Sequence, residues 1–140
     1  MRLVRLIYIS QTVSELNEES VANILSTASR NNKEKNITGH LCFNQSYFLQ
    51  CLEGGSEEVN AIYHKIMKDP RHHHIRLIDF SEIEQRFFIN WSAGLNMNSQ
   101  TKREVFFKYS ASNEFDPYTL SAQSTRLYLK ELSDIDSRGR

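Results

Sequence analysis

The sequence predicts an α+β fold: a mixed sheet built in the order βαββαββ, with two helices on one face and further helices after it. Three observations carry this prediction. Short runs rich in β-branched and aromatic residues recur at 3–10, 37–43, 46–55, 75–83 and 89–97. Two intervening segments, 17–35 and 56–67, repeat their apolar residues at helical spacing. Turn-forming residues stand where one period gives way to the other.

Residues 3–10, "LVRLIYIS", make the first strand. Arg5 interrupts its apolar run and no small-residue cleavage site follows, so it reads as a strand and not a signal peptide. In "NEESVANILSTASRNNKEK", Val21, Ile24, Leu25 and Ala28 fall at i, i+3, i+4 and i+7. Asn17 is placed to cap this helix, with two glutamates in the first turn where the helix dipole favours them. "ITGHLCF", 37–43, is the second strand, and "NQS" turns it back as a hairpin into the third, "SYFLQCLEGG". The third strand is apolar on both faces, which places it centrally, covered on both sides. Gln50 stands in its middle. A buried amide left unpaired costs about 1–3 kcal/mol, so it must have partners.

Ser56 is expected to cap the second helix, whose stripe is Val59, Ile62, Tyr63, Ile66 and Met67; Asp69 and Pro70 stop it. "IRLIDFSEI", 75–83, and "INWSAGLNM", 89–97, are the fourth and fifth strands. Helical segments follow at 101–110, with Phe106 and Tyr109 inward, and at 119–132, with Leu120, Leu127 and Leu132 inward. "DSRGR" is expected to be a disordered tail. The expected division is a binding domain over 1–97 and a helical extension with that tail over 98–140.

This order is the ferredoxin-like pattern with additions. A right-handed crossover places both long helices on one face of the sheet, and a groove between them is a natural ligand site. Tyr8, Asn31, Asn32 and Gln50 can meet there, with Ile24, Leu25 and Ile66 as apolar walls. Such a slot suits a flat heteroaromatic ring, because amides pair in-plane with carbonyl and N–H edges. Each residue also fits a purely structural role: a core tyrosine, a helix-end asparagine pair, a glutamine bonded to neighbouring backbone.

Composition narrows the classes. The 140 residues suffice for one domain with a core. Seventeen basic residues balance seventeen acidic ones, which gives no electrostatic case for nucleic acid or an anionic membrane. The apolar runs are too short to span a bilayer. Cys42 and Cys51 show no disulfide framework or metal spacing, and are expected to be buried free thiols in a cytosolic protein.

The motifs "RLIYIS", "RNN", "NITG", "YFLQCLEG", "DPRHH" and "FFINWS", in that order, resemble the BLUF family, the flavin-binding blue-light sensors. The resemblance covers about residues 1–97. It implies that Tyr8 is the photochemical tyrosine, Gln50 the switching glutamine and Trp91 the tryptophan near it. It further implies that Asn32 hydrogen-bonds the flavin ring edge, with Asn31 beside it. It implies that Lys65 lies near the ring or its side chain and that Asp69 and His72 help to hold it; Ile24 and Ile66, the walls of the slot, would then line the ring. One position departs: relatives commonly carry methionine two residues after the tryptophan, and here Ala93 stands there.

The mechanism so implied is light-driven electron and proton transfer from Tyr8 to a non-covalent flavin, then recombination that leaves the Gln50 amide rotated or tautomerised and the absorption red-shifted. FAD is the expected flavin, with FMN or riboflavin as alternatives. The short C-terminal extension resembles that of stand-alone members. It implies a cytoplasmic, non-enzymatic homo-oligomer that signals to a separate partner protein and engages neither nucleic acid nor membrane.

Other readings are weaker. A ferredoxin-like RNA-binding module could present Tyr8, Tyr47 and Phe48 on its sheet, but the glycine–aromatic motif is missing and the charge is neutral. A hydrolase would need a phosphate-cradling loop or a nucleophile beside a base. "RHHH", residues 71–74, suggests zinc, yet adjacent histidines on an extended segment point in alternating directions.

Overall fold

The computed structural model describes residues 2–14, 17–94 and 97–138. Its elements are β1 (Leu3–Thr12), α1 (Glu18–Glu34), β2 (Thr38–Phe43), β3 (Tyr47–Gly55), α2 (Ser56–Met67), β4 (His72–Glu82), β5 (Trp91–Gly94), α3 (Gln100–Phe107), a 3-10 turn (Pro117–Thr119) and α4 (Ala122–Arg138). The strand order is β4-β1-β3-β2-β5. The first four strands run antiparallel, and β5 adds in parallel to β2. This is the expected ferredoxin-like sheet with a fifth strand. Its central pair sets Tyr8 directly opposite Gln50.

Local chemistry sets the boundaries. Asn17 caps α1, its Oδ1 accepting from the Ser20 N–H at 2.8 Å. Asn44 closes the β2–β3 hairpin by accepting from the Ser46 and Tyr47 N–H groups at 2.9 and 2.8 Å. The α2 cap is a correction. Gly55 is the N-cap and makes no side-chain capping bond; Ser56 is already the first helical residue, because β3 passes into α2 without a loop. Met67, at the end of α2, is 45% exposed and lies outside the inward stripe. β4 starts earlier than 75, since His72 and His73 pair with Thr12 and Gln11. β5 begins at Trp91, later than the expected 89; its described ladder with β2 covers Trp91–Gly94, and residues 95 and 96 lie outside the described ones.

Alternation along β1 and β3 builds two cores. Val4, Leu6, Tyr8 and Leu52 face α2, where Ile62, Tyr63 and Ile66 pack on them. Ile7, Ile9, Leu49 and Cys51 face the other way, into a core with Phe106, Phe115, Tyr128 and Leu129. The C-terminal segment therefore covers the second face of the sheet. Its last helix differs from the expected 119–132. Leu120 precedes it, Leu127 is 52% exposed, and Tyr128 and Leu129 take the inward positions. The helix also runs through residues expected to be a disordered tail, as far as Arg138; 139 and 140 lie outside the described residues. Cys42 and Cys51 are both buried and form no disulfide.

Candidate functional site

α1 and α2 part above the central strands and leave a cleft of about 410 Å³, within the roughly 300–1,000 Å³ of small-molecule sites. Tyr8, Leu41, Phe48 and Gln50 form its floor. Ile24, Ala28 and Asn31, at i, i+4 and i+7, bring one face of α1 to it, and Asn32 stands one turn beyond Ala28. Ile62, Lys65 and Ile66 do the same from α2. Asp69, Arg71 and His72 stand at the α2–β4 corner of the cleft. Of the residues the sequence nominated for the slot, Ile24, Asn31, Asn32, Gln50, Lys65, Ile66, Asp69 and His72 share one cleft with Tyr8. Leu25 does not; it faces a smaller depression with Val21 and Phe43.

Gln50 is 6% exposed and has both ends of its amide engaged. Its Nε2 donates to the Tyr8 hydroxyl oxygen at 2.6 Å, and its Oε1 accepts from Trp91 Nε1 at 3.1 Å. An indole N–H can only donate, so it must meet the amide oxygen. The amide nitrogen then faces Tyr8, whose oxygen accepts. Trp91 stands outside the cleft lining and reaches Gln50 from β5. Tyr8 is buried, and burial pushes its phenol well above the ordinary tyrosine value, with the Gln50 hydrogen bond opposing in part. Tyr8 is neutral across the physiological range. Its ring centroid lies 5.7 Å from that of Tyr63 and 6.4 Å from that of His72.

The corner beyond α2 is held by charge and hydrogen bonds. Arg71 Nε donates to both Asp69 carboxylate oxygens, at 3.0 and 2.9 Å, and these bonds hold the Asp69 carboxyl below the usual range. His72 joins its Nε2 to the Ile66 carbonyl and its Nδ1 to Ser10 Oγ, both at 2.8 Å. A carbonyl only accepts, so Nε2 carries a proton. His72 therefore ties the start of β4 to the end of α2 and to β1.

The cleft fits a flat ring with a polar edge. Ile24 and Ile66 supply apolar surface from opposite helices. Asn32 is 3% exposed; its backbone carbonyl accepts from Lys35 and Ile37, and the residue lines the cleft. Thr27, Ala28, Leu41, Ile62 and Arg71 also line it and were not nominated from the sequence. Ala28 and Ile62 stood in the apolar stripes, which mark an inward face without separating core from cleft. The sheet offers no open platform for RNA: Tyr8 and Phe48 are 3% and 7% exposed beneath the helices, and Tyr47 packs on Tyr118 on the other side.

Comparison with known proteins gives a consistent result. The profile of a family described as BLUF, sensors of blue-light using FAD, matches residues 3–94. The chain is similar to the blue light- and temperature-regulated antirepressor BluF of Escherichia coli (strain K12), with 41% identity over 73 residues, 52% of this chain and 18% of the relative. It is similar to the photoactivated adenylate cyclase subunit beta of Euglena gracilis, with 33% identity over 86 residues, 61% of this chain and 10% of the relative. The chain thus spans less than a fifth of these curated relatives. Among solved structures, the photo-activated state of BlsA superposes with a TM-score of 0.77 and 33% identity, covering 94% of both chains. The dark-state structure of BlrB, a BLUF protein, gives 0.61 and 30%, covering 69% of this chain and 76% of the other.

Proposed function

Since the chain belongs to the BLUF family, the sensors of blue light using FAD, we propose that it is a photoreceptor in which Tyr8 and Gln50 form the light switch. The observation that carries this is the donor chain Trp91 to Gln50 to Tyr8, at 3.1 and 2.6 Å, with Tyr8 and Gln50 on the floor of the cleft between the helices.

Ile24 and Ile66 would sandwich the flavin ring, and Asn32, with Asn31 beside it, would bond its edge. Lys65, Asp69 and His72 would hold the rest. The reading takes FAD as the flavin, from the family description, with FMN and riboflavin as the alternatives. Bound flavin supplies blue-light absorption and a one-electron acceptor. Tyr8 supplies the electron and the proton, because it is a buried neutral phenol. Gln50 then rearranges and keeps a changed hydrogen-bond pattern after Tyr8 is restored. Rotation alone would turn Nε2 toward the Trp91 N–H and set donor against donor. Gln50 must therefore release Trp91 or adopt the imidic tautomer, whose imine nitrogen can accept from the indole.

We read residues 1–97 as the sensor and 98–140 as the part that carries the signal. The chain is taken as a receptor and not an enzyme, acting in the cytoplasm as a homo-oligomer on a separate partner protein. Support comes from the 94% mutual coverage with BlsA and from relatives named as an antirepressor and as a photoactivated cyclase subunit. Among the described residues no helix is long and apolar enough to cross a membrane.

The test is to purify the protein in the dark, denature it and chromatograph what is released. A free flavin is expected in near-stoichiometric amount. A colourless protein that takes up none of FAD, FMN or riboflavin would overturn the reading.

A further inference from the structure

Three residues along β3 from Gln50, and on the opposite face of the sheet, Glu53 is wholly buried. Its carboxylate takes three donors. Arg5 Nε and the Phe87 N–H donate to Oε2 at 2.8 and 3.0 Å, and the Phe88 N–H donates to Oε1 at 2.9 Å. A buried carboxylate is tolerable only when paired and hydrogen-bonded, and here it is both. What matters is where two of the donors come from. Phe87 and Phe88 belong to the connection between β4 and β5, and that connection reaches Trp91 three residues later.

Other bonds fix the same stretch. The Arg5 guanidinium lies 3.4 Å from the centre of the Phe87 ring. Arg86 donates to Thr38 Oγ1 and to the Glu53 backbone carbonyl, both at 2.7 Å, and to the Asn36 carbonyl at 3.2 Å. Trp91 itself packs at the edge of the core on the α2 side of the sheet, and the connection that carries Phe87 and Phe88 sets where it enters β5. It is the first residue of β5, at the start of the ladder with β2, opposite Gly39. Its bond to Gln50 therefore depends on the stretch that delivers it.

We propose that Glu53 is a positioning residue for the light switch: by gripping the Phe87 and Phe88 amides it holds the Trp91 indole N–H against Gln50 Oε1. The geometric half of the proposal stands alone; its effect on recovery rests on the photoreceptor reading.

Trp91 is the sole tryptophan in the chain, so 5-fluorotryptophan labelling gives the flavin-loaded protein a single fluorine NMR reporter at this site. The variants are Glu53→Gln and Arg86→Gln. Glu53→Gln leaves Arg5 facing a neutral amide; Arg86→Gln loosens the same stretch from its half-buried side and leaves no buried charge behind. The expected result in each folded variant is a displaced or split Trp91 resonance in the dark. Recovery after blue light should also change by about 2- to 10-fold, the range of one net hydrogen bond. A general loss of stability would not move a native-state resonance. If Glu53→Gln does not fold, Arg86→Gln alone decides. An unmoved resonance, or a moved one with recovery within about twofold of the wild type, overturns the proposal. A wild-type protein with no red shift would instead overturn the photoreceptor reading, and the resonance would still report whether Glu53 places Trp91.

Discussion

One hydrogen bond, 3.1 Å from the indole nitrogen of Trp91 to the amide oxygen of Gln50, decides which end of Gln50 meets Tyr8. Tyr8 could accept from the amide nitrogen or donate to the amide oxygen. Trp91 can only donate, and so selects the first arrangement. Whatever alters the surroundings of Trp91 should alter the balance between the two.

Ala93 is the nearest such position in the sequence. It lies two residues beyond Trp91 on β5, on the same face, and opposite Leu41, a floor residue of the cleft. Ala93→Met adds a flexible thioether beside the switch. The expected outcome is retained flavin with dark recovery changed by about 2- to 10-fold, the range of one net hydrogen bond. Decay of the red-shifted absorbance in both proteins at one temperature measures this. Identical decays would mean that residue 93 does not touch the switch.

Asn32→Ala should weaken flavin binding by about 2- to 10-fold, for the loss of one hydrogen bond. Alanine is the better helix former, so the flavin-free protein should melt no lower. Asn31→Ala should do less, because Asn31 is exposed and Asn32 is buried. Flavin titration of the three proteins gives the order. Equal loss in both variants, or a lower melting point, would assign Asn32 to the fold instead of the cleft.

Tyr128 is wholly buried, and among the described residues its hydroxyl is the buried side-chain group with no hydrogen-bond partner. An unpaired buried hydroxyl is unfavourable, so Tyr128→Phe should raise stability at neutral pH by about 1 kcal/mol. Burial pushes the phenols of both Tyr8 and Tyr128 well up. The folded state therefore keeps two protons that the unfolded chain releases near pH 10. Their contribution is complete below that pH and falls above it, at about 1.4 kcal/mol per pH unit for each tyrosine. Denaturant midpoints from pH 8 to pH 11.5 should show this fall, less steeply in Tyr128→Phe. A flat profile in the wild type would contradict it.

Leu129→Ala should cost about 2–5 kcal/mol, the range for emptying a core leucine site, since Leu129 is fully buried against the sheet. By the same packing, deletion from Ser99 onward should unfold the protein and not merely uncouple light from output. Chemical denaturation measures both. A truncated protein with an undiminished unfolding transition would show that the sheet stands without its second layer.

The sequence carried the sheet, the two long helices and the cleft because each rests on a local period. Asn17 was readable as a cap, and Tyr8 and Gln50 as inward polar residues on central strands. The bond from Trp91 was not readable from residues alone. It depends on β5 adding in parallel to β2, and no local pattern states that. The cap of α2 was misplaced because Ser56 has the right chemistry, whereas Gly55 already occupies the capping position. Of the expected inward residues Leu120, Leu127 and Leu132, only Leu132 lies on the inward face of α4. Leu120 lies before the helix, and the face is set by Thr125, Tyr128, Leu129 and Leu132. The burial of Glu53 is not legible in the sequence, since a glutamate at a strand end reads as solvent-facing until the β4–β5 connection folds over it.

The most direct test of the switch is the light-minus-dark absorption spectrum of the flavin-loaded protein, recorded beside Tyr8→Phe and Gln50→Leu. The wild type should show a red-shifted flavin band after blue light that returns fully in the dark. Both variants should keep the flavin and lose the shift, Tyr8→Phe for want of the phenol that gives the electron and proton, Gln50→Leu for want of the amide that rearranges. A normal reversible shift in Gln50→Leu, or a wild-type protein that binds flavin and shows no shift, would contradict the assignment of Gln50 as the switch.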